Sequence, residues 1–450
     1  MADVWLTLLA GAGLVLVGFI AAQIFDRFRF PDYFILMSIG LVLGSGLLPL
    51  PFDPRASLAT IAPYLTNIAL AFILFEGGMV LHVRGMKKAW GLVAVHTAVA
   101  MALSLGGVWY VGTTFLGLAS TTALIIGLAF IGPSASIDMS LLAQLRVTNK
   151  TRFTIVVEGV LGNVVAAVLV LLLIPFALNP GATTDTSLWT PYLIQVGCAV
   201  LVAYLAGRVW VLLVSGDRPR RFVFMSSVAL AVVLYAVGEG FFGGNGGIAA
   251  FVFGLVLGHH HALAPRKSVP EGASSSRGLQ EFHTELVFLL RTFFFLYLGL
   301  RVQLTGITLA AIFGAVAFTA VFYGSRWPSS AVLSRAWTLP ARDRRILRGT
   351  VARGMTDTVL ILFAIEVGVV PPGEAALVTS LLFLVILVAA MVSAVLVFRA
   401  ERLARLEEAR VRVPAPAARA EPAATASTRE FDRALTDFLQ DPIVKQGEID

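Results

Sequence analysis

Apolar residues run along most of this chain in blocks of about 20, separated by short polar stretches. A block of that length crosses the roughly 30 Å hydrocarbon core of a bilayer as a helix rising 1.5 Å per residue. On that ruler the pattern predicts about 13 spans: Val4–Phe25, Tyr33–Leu50, Leu58–Gly78, Ala89–Val111, Ala119–Leu145, Phe153–Leu178, Pro191–Val214, Phe222–Phe242, Gly246–His260, Leu279–Leu300, Ile307–Trp327, Ile346–Val369 and Gly373–Phe398. The start, Met1-Ala2-Asp3-Val4-Trp5, lacks the basic stretch of a cleaved leader, so the first block reads as a retained helix. Residues 1–399 thus form a membrane domain. From 400 to 450 the composition turns to Ala, Arg, Glu and Pro, which predicts a largely disordered tail with one amphipathic helix at Thr428–Leu439.

The loops carry an independent signal. One alternate set holds Arg27, Arg29, Arg84, Lys87, Lys88, Arg146, Lys150, Arg152, Arg218, Arg220, Arg221, Arg266, Lys267, Arg277, Arg326, Arg335, Arg342, Arg344, Arg345 and Arg348; the other holds Arg55 and Arg301. Basic residues collect on the cytoplasmic side. The C-terminus is therefore expected in the cytoplasm and, with an odd number of spans, the N-terminus outside.

Composition agrees. Of 450 residues, 58% are hydrophobic and only 14% charged, against about 25% charged in soluble domains. The net charge of +7 follows from the basic loops and gives no reason to invoke nucleic acid. Cys198 is the single cysteine, which excludes a disulfide framework and a cysteine-based metal site. His259-His260-His261 point in different directions on a helix and have no acidic neighbours, so no metal or cofactor is expected there. Gly243-Gly244-Asn245-Gly246-Gly247 reads as a tight external turn. No nucleophile and base stand at catalytic spacing, so the chain does not read as an enzyme.

Two segments interrupt the apolar blocks at membrane depth: Gly132-Pro133-Ser134-Ala135-Ser136-Ile137-Asp138 in the fifth span and Arg353-Gly354-Met355-Thr356-Asp357 in the twelfth. Irregular backbone survives there only where protein or a polar cavity satisfies it. A pair of broken helices in the two halves of a chain points to a transporter's binding site. Arg208 can snorkel from its span end. Arg291 and Arg353 lie deeper and need carboxylates or carbonyls; the candidate acids are Glu158, Asp138 and Asp357. Asn163 lies about ten residues into its span, roughly 15 Å deep, level with Arg291 and Asp357. Glu158 and Asn163 are about 140° apart around their helix, so Glu158 fits a structural pair with an arginine while Asn163 faces the site. These groups form either a midplane binding site or an ion-pair cluster that holds helices together.

The chain resembles the monovalent cation:proton antiporter superfamily, the sodium/proton exchanger-like group. The resemblance rests on Phe75-Glu76-Gly77-Gly78, the serine-rich break at 132–138, Glu158-Gly159-Val160-Leu161-Gly162-Asn163, the run from Gly246 to Gly258, Arg291-Thr292-Phe293-Phe294-Phe295 with Gly299, and Arg353-Gly354. Order and spacing together carry it, over Val4–Phe398. It implies an all-α polytopic fold with inverted repeats, two crossing broken helices, a homodimer in the bacterial inner membrane, and exchange of Na⁺ or K⁺ for protons. Ser134 and Ser136 then fit as oxygen ligands.

The chain departs from the family at its chemical centre. The family's essential aspartate aligns with Asn163, which cannot titrate. Asp138 and Asp357 instead follow the two breaks, where the family has apolar or small residues. The expectation is that the carrier carboxylate has moved, first of all to Asp357. The alternative is a non-exchanging regulatory or binding membrane protein that kept the scaffold after losing the aspartate.

Overall fold

The computed structural model describes residues 11–21, 23–24, 32–45, 53–80, 87–134, 137–138, 142, 145, 147–178, 186–214, 223–263, 275–303 and 306–411. Among them there is no strand. The helices are α1 (Gly11–Ala21), α2 (Asp32–Gly44), α3 (Pro54–Val80), α4 (Lys87–Phe115), α5 (Ser120–Ala129), α6 (Asn149–Leu178), α7 (Thr186–Val214), α8 (Val223–Phe241), α9 (Gly246–Leu263), α10 (Ser275–Arg301), α11 (Leu309–Ala336), α12 (Ala341–Gly349), α13 (Met355–Glu366) and α14 (Pro372–Val411). Each expected span has its helix. Expectations for residues 4–10, for Ser136 and for the tail beyond Val411, including Thr428–Leu439, lie outside the described residues.

Local chemistry sets the ends. Pro54 and Pro372 open α3 and α14 at the position where a missing N–H costs nothing. Thr308 caps α11 by accepting from Ala311 N–H at 3.2 Å. The α8–α9 turn needs left-handed backbone at Gly243 (φ 62°) and Gly244 (φ 83°). Glu239 then accepts from Gly246 N–H at 3.2 Å, capping α9. The membrane helix overruns the expected boundary at residue 399, because Glu401 meets Arg342 of α12 at 2.6 Å and Arg405 at 3.1 Å. Those pairs let charged residues continue α14 to Val411.

The fifth and twelfth spans are split. α5 has 10 residues and α13 has 12, or about 15 and 18 Å of helix, roughly half the bilayer core each. The packing repeats itself across the chain. α2 packs on α10, α3 on α9, and α4 on α11. Exchanging each helix with its counterpart one repeat later (α2 with α9, α3 with α10, α4 with α11) turns the first contact into the second and leaves the third unchanged. The counterparts are seven spans apart, an odd number, so the second repeat runs inverted through the membrane.

Glycines make these contacts close. A Cβ on Gly40 would fall 3.0 Å from Gly299 Cα, and one on Gly299 would fall 3.0 Å from Gly40 Cα. The matching seam joins Gly254 and Gly78, each set directly against backbone of the facing helix. In lipid, apolar side chains gain little by leaving their surroundings, so such backbone-to-backbone approach is what binds helices. Gly254→Ala, whose Cβ would meet the Phe75 carbonyl, is expected to cost about 1–3 kcal/mol. Gly197→Ala, with nothing within 4 Å, is expected to be neutral or to gain up to about 1 kcal/mol. Thermal unfolding of the two purified variants in detergent checks both; an unaffected Gly254→Ala would contradict the seam.

Candidate functional site

The two interrupted segments cross in direct contact. After α5 the chain leaves helical geometry at residues 131–134, and after α12 at residues 350–354. Ser134 N–H donates to Ala352 O at 2.9 Å, and the Arg353 guanidinium donates from Nη1 to Gly132 O. Backbone groups that the breaks release are thus satisfied by the opposite break. Gly132 rests on α6, where a Cβ would come 2.6 Å from Gly162 Cα and 3.2 Å from Asn163 N; only glycine fits. Ser134 Oγ lies against Gly354. The Arg353 charge stacks over the Phe322 ring of α11, 3.8 Å from its centroid. Its partners are a carbonyl and a ring, with Nε left unpartnered and no ion pair to a carboxylate among the described residues.

The acids have distinct surroundings. Asp357 is the third residue of α13 and 2% exposed. Its Oδ2 accepts from Gly354 N–H at 2.6 Å, capping the helix that it begins. Asp138 is 0% exposed. Its N–H donates to Ser134 O at 3.0 Å, and its Oδ1 accepts from Ser393 Oγ of α14 at 3.1 Å, while Oδ2 has no partner among the described residues. Asn163 is partly exposed in the middle of α6. The crossing therefore brings together Ser134, Asp138, Arg353, Asp357 and Asn163, while Ser136 lies outside the described residues.

Glu158 corrects the sequence reading. It pairs with Arg326 Nη1 at 2.5 Å and with His96 Nε2 at 3.3 Å, joining α6 to α11 and α4. Neither Arg291 nor Arg353, the expected partners, bonds to it. Arg291 is half-buried on α10, away from this pair. Arg326 counts among the expected basic loop residues although it stands just inside the end of the span Ile307–Trp327. α11 instead tolerates Pro328 and runs on to Ala336, which leaves Arg326 only 3% exposed. His96 and Ser393, a lone histidine and a lone serine in apolar helices, gave no signal beyond a polar residue in a span. Asp343, hidden in an arginine-rich run, accepts from Thr148 N–H at 3.0 Å, Thr148 Oγ1 at 2.5 Å and Thr151 Oγ1 at 2.8 Å, tying the start of α6 to α12. A separate cavity of about 510 Å³ opens between the start of α3, the end of α10 and the start of α14, lined by Asp53, Arg55, Arg301, Gln303, Thr379 and Ser380 among others.

The buried pair has a measurable signature. Arg326→Met strands the Glu158 carboxylate and is expected to cost about 3–5 kcal/mol, whereas the combined Glu158→Leu/Arg326→Met change recovers most of it. Arg326→Lys keeps the charge but not the planar guanidinium geometry. A double-mutant cycle by thermal unfolding decides; additive losses would contradict the pairing.

The fold and these motifs have counterparts among known proteins. Residues 13–399 match the family described as sodium/hydrogen exchanger, transmembrane. The K⁺/H⁺ antiporter NhaP of Alkalimonas amylolytica is 26% identical over 373 residues, covering 81% of this chain and 61% of the relative. NhaP2 of Shewanella oneidensis is 25% identical over 417 residues, covering 89% and 67%. The chain thus spans about six-tenths to two-thirds of the length of these relatives. The sodium proton antiporter MjNhaP1 of Methanocaldococcus jannaschii has the same fold, with a TM-score of 0.72 at 16% identity over 89% of this chain and 99% of that one. With most of its length matched and its helices in that arrangement, this chain belongs to the sodium/hydrogen exchanger family of transmembrane proteins.

Proposed function

We propose that this protein exchanges a monovalent cation, Na⁺ or K⁺, for protons across a bacterial inner membrane. The observation that carries the reading is the crossing itself: two half-helices meet by backbone, with buried carboxylates at their ends. Names of relatives add to it, since those matched are K⁺/H⁺ and Na⁺/H⁺ antiporters. A carboxylate at such a site holds either a proton or an alkali ion. Ser134 and Asn163, with Ser136, provide neutral oxygens for a desolvated cation. Asp357, expected first from the sequence, and Asp138 are the candidate carriers. The helix start at Asp357 offers positive partial charge, which tempers a carboxylate there.

The basic-residue asymmetry supports an N-terminus outside and a C-terminus in the cytoplasm. On that orientation the 510 Å³ cavity beside Arg55 and Arg301 opens outward. Family resemblance supports a homodimer. Asn163, where the family places an aspartate, favours the second reading: a non-exchanging regulatory or binding protein on the same scaffold.

Reconstituted vesicles separate the two. With a pH-sensitive dye inside, added Na⁺ or K⁺ is expected to dissipate an imposed proton gradient. The Asp138→Asn/Asp357→Asn double variant should be indistinguishable from protein-free vesicles. Absence of any cation-dependent pH change with the unaltered chain would support the non-exchanging reading.

A further inference from the structure

We infer that Asp138, seated against the Ser393 hydroxyl, is the carboxylate that alternately holds the proton and the cation, and that Asp357 serves the crossing as a helix cap. This assignment rests on the exchange reading above and specifies its carrier.

Hydrogen-bond accounting separates the three buried acids. Both Glu158 oxygens are engaged, one by Arg326 and one by His96. Asp357 gives Oδ2 to the Gly354 N–H that starts α13, and its Oδ1 is not among the fully buried unpartnered atoms. Asp138 has only the Ser393 hydroxyl, and its Oδ2 is the one fully buried carboxylate oxygen of this group without a partner among the described residues. A bare, ionised oxygen in that position carries the whole desolvation penalty. Asp138 must therefore carry a proton or an ion in this closed arrangement.

Charge balance leads to the same group. Arg326, Glu158 and Arg353 are the charged groups within electrostatic reach of Asp138, and Arg353 in turn faces Asp357. Glu158, Asp138 and Asp357 set three carboxylates against the two guanidiniums of Arg326 and Arg353, all at most 3% exposed. His96 meets Glu158 through Nε2. Counting these acids against the two guanidiniums, the cluster is short of one positive charge, and one proton or one monovalent cation on Asp138, whose Oδ2 is unpartnered among the described residues, supplies it. No bond beyond the Asp138 O–H is made or broken: the proton leaves to water as the cation arrives, and the reverse on return. The groups sit on α4, α6, α11, α14 and the two breaks, so rearranging the crossing changes their distances to Asp138.

Full-length protein tests the assignment by two readouts, cation-dependent melting in detergent and dye-reported exchange in vesicles. Asp138→Asn is expected to melt at or above the unaltered protein, because a neutral amide can be buried there without taking up a proton or an ion. The same change should abolish the rise in melting temperature with Na⁺ or K⁺ and reduce exchange to that of protein-free vesicles. Asp357→Asn, whose amide oxygen can still cap Gly354, should slow exchange yet keep the cation-dependent rise. Ser393→Ala should raise the half-maximal cation concentration several-fold and shift the pH profile. Exchange that persists in Asp138→Asn, or a cation response lost in Asp357→Asn alone, overturns the assignment. If Asp138→Asn fails to fold, Ser393→Ala decides, and an unchanged cation requirement and pH profile overturn it. If the unaltered chain does not exchange but its cation-dependent melting depends on Asp138, the assignment survives while the exchange reading falls. A chain showing neither response loses both.

Discussion

Backbone amides cannot be left open in lipid, and that constraint organises this protein. Two helices stop near the middle of the membrane, and each exposes groups that the bilayer cannot satisfy. The protein answers by laying one break across the other: Ser134 N–H reaches Ala352 O, and Arg353 reaches Gly132 O. Everything near the crossing follows from making room for it. Gly132 must be glycine to lie on Gly162, and Gly354 must be glycine to admit Ser134. Arg353 can be buried because a carbonyl and the Phe322 ring take its charge. The site is thus a by-product of satisfying backbone, and its acids are placed by the same geometry.

Much of this was legible in the chain, because the bilayer imposes lengths and exclusions that residues must obey. The ruler of about 20 apolar residues located the long helices, though not the charged start of α12 at Ala341, and Gly-Pro-Ser and Arg-Gly marked both breaks. Asn163 lies beside the first break and Asp357 at the second. What the sequence concealed were choices among possible partners. Glu158 had Arg291 and Arg353 as candidates by depth, but it takes Arg326, which stood at the very end of its expected span and counted with the loops. A proline within a long packed helix is tolerated when neighbours hold the helix together, so α11 runs on past Pro328. Asp357 shows a subtler limit. Gly354-Met355-Thr356-Asp357 is a capping signal, with an acid three residues into a helix, but an acid in a membrane attracts a chemical reading first.

The buried acids also show why composition alone misleads about function. Three carboxylates in one region suggest three sites, yet hydrogen bonds distribute them among separate duties. Glu158 binds helices, Asp357 starts one, and Asp138 keeps a free oxygen. Exposure does not discriminate, because all three are nearly inaccessible. The inventory of donors facing each oxygen does.

The glycine seams carry a mechanical consequence. α2 is locked to α10 and α3 to α9, and each pair takes one helix from either repeat. Neither half of the sequence can then swing as a unit, since doing so would tear two backbone-close contacts. The frame that these seams build is therefore cut across the two repeats rather than along them, so its rigidity belongs to neither half alone.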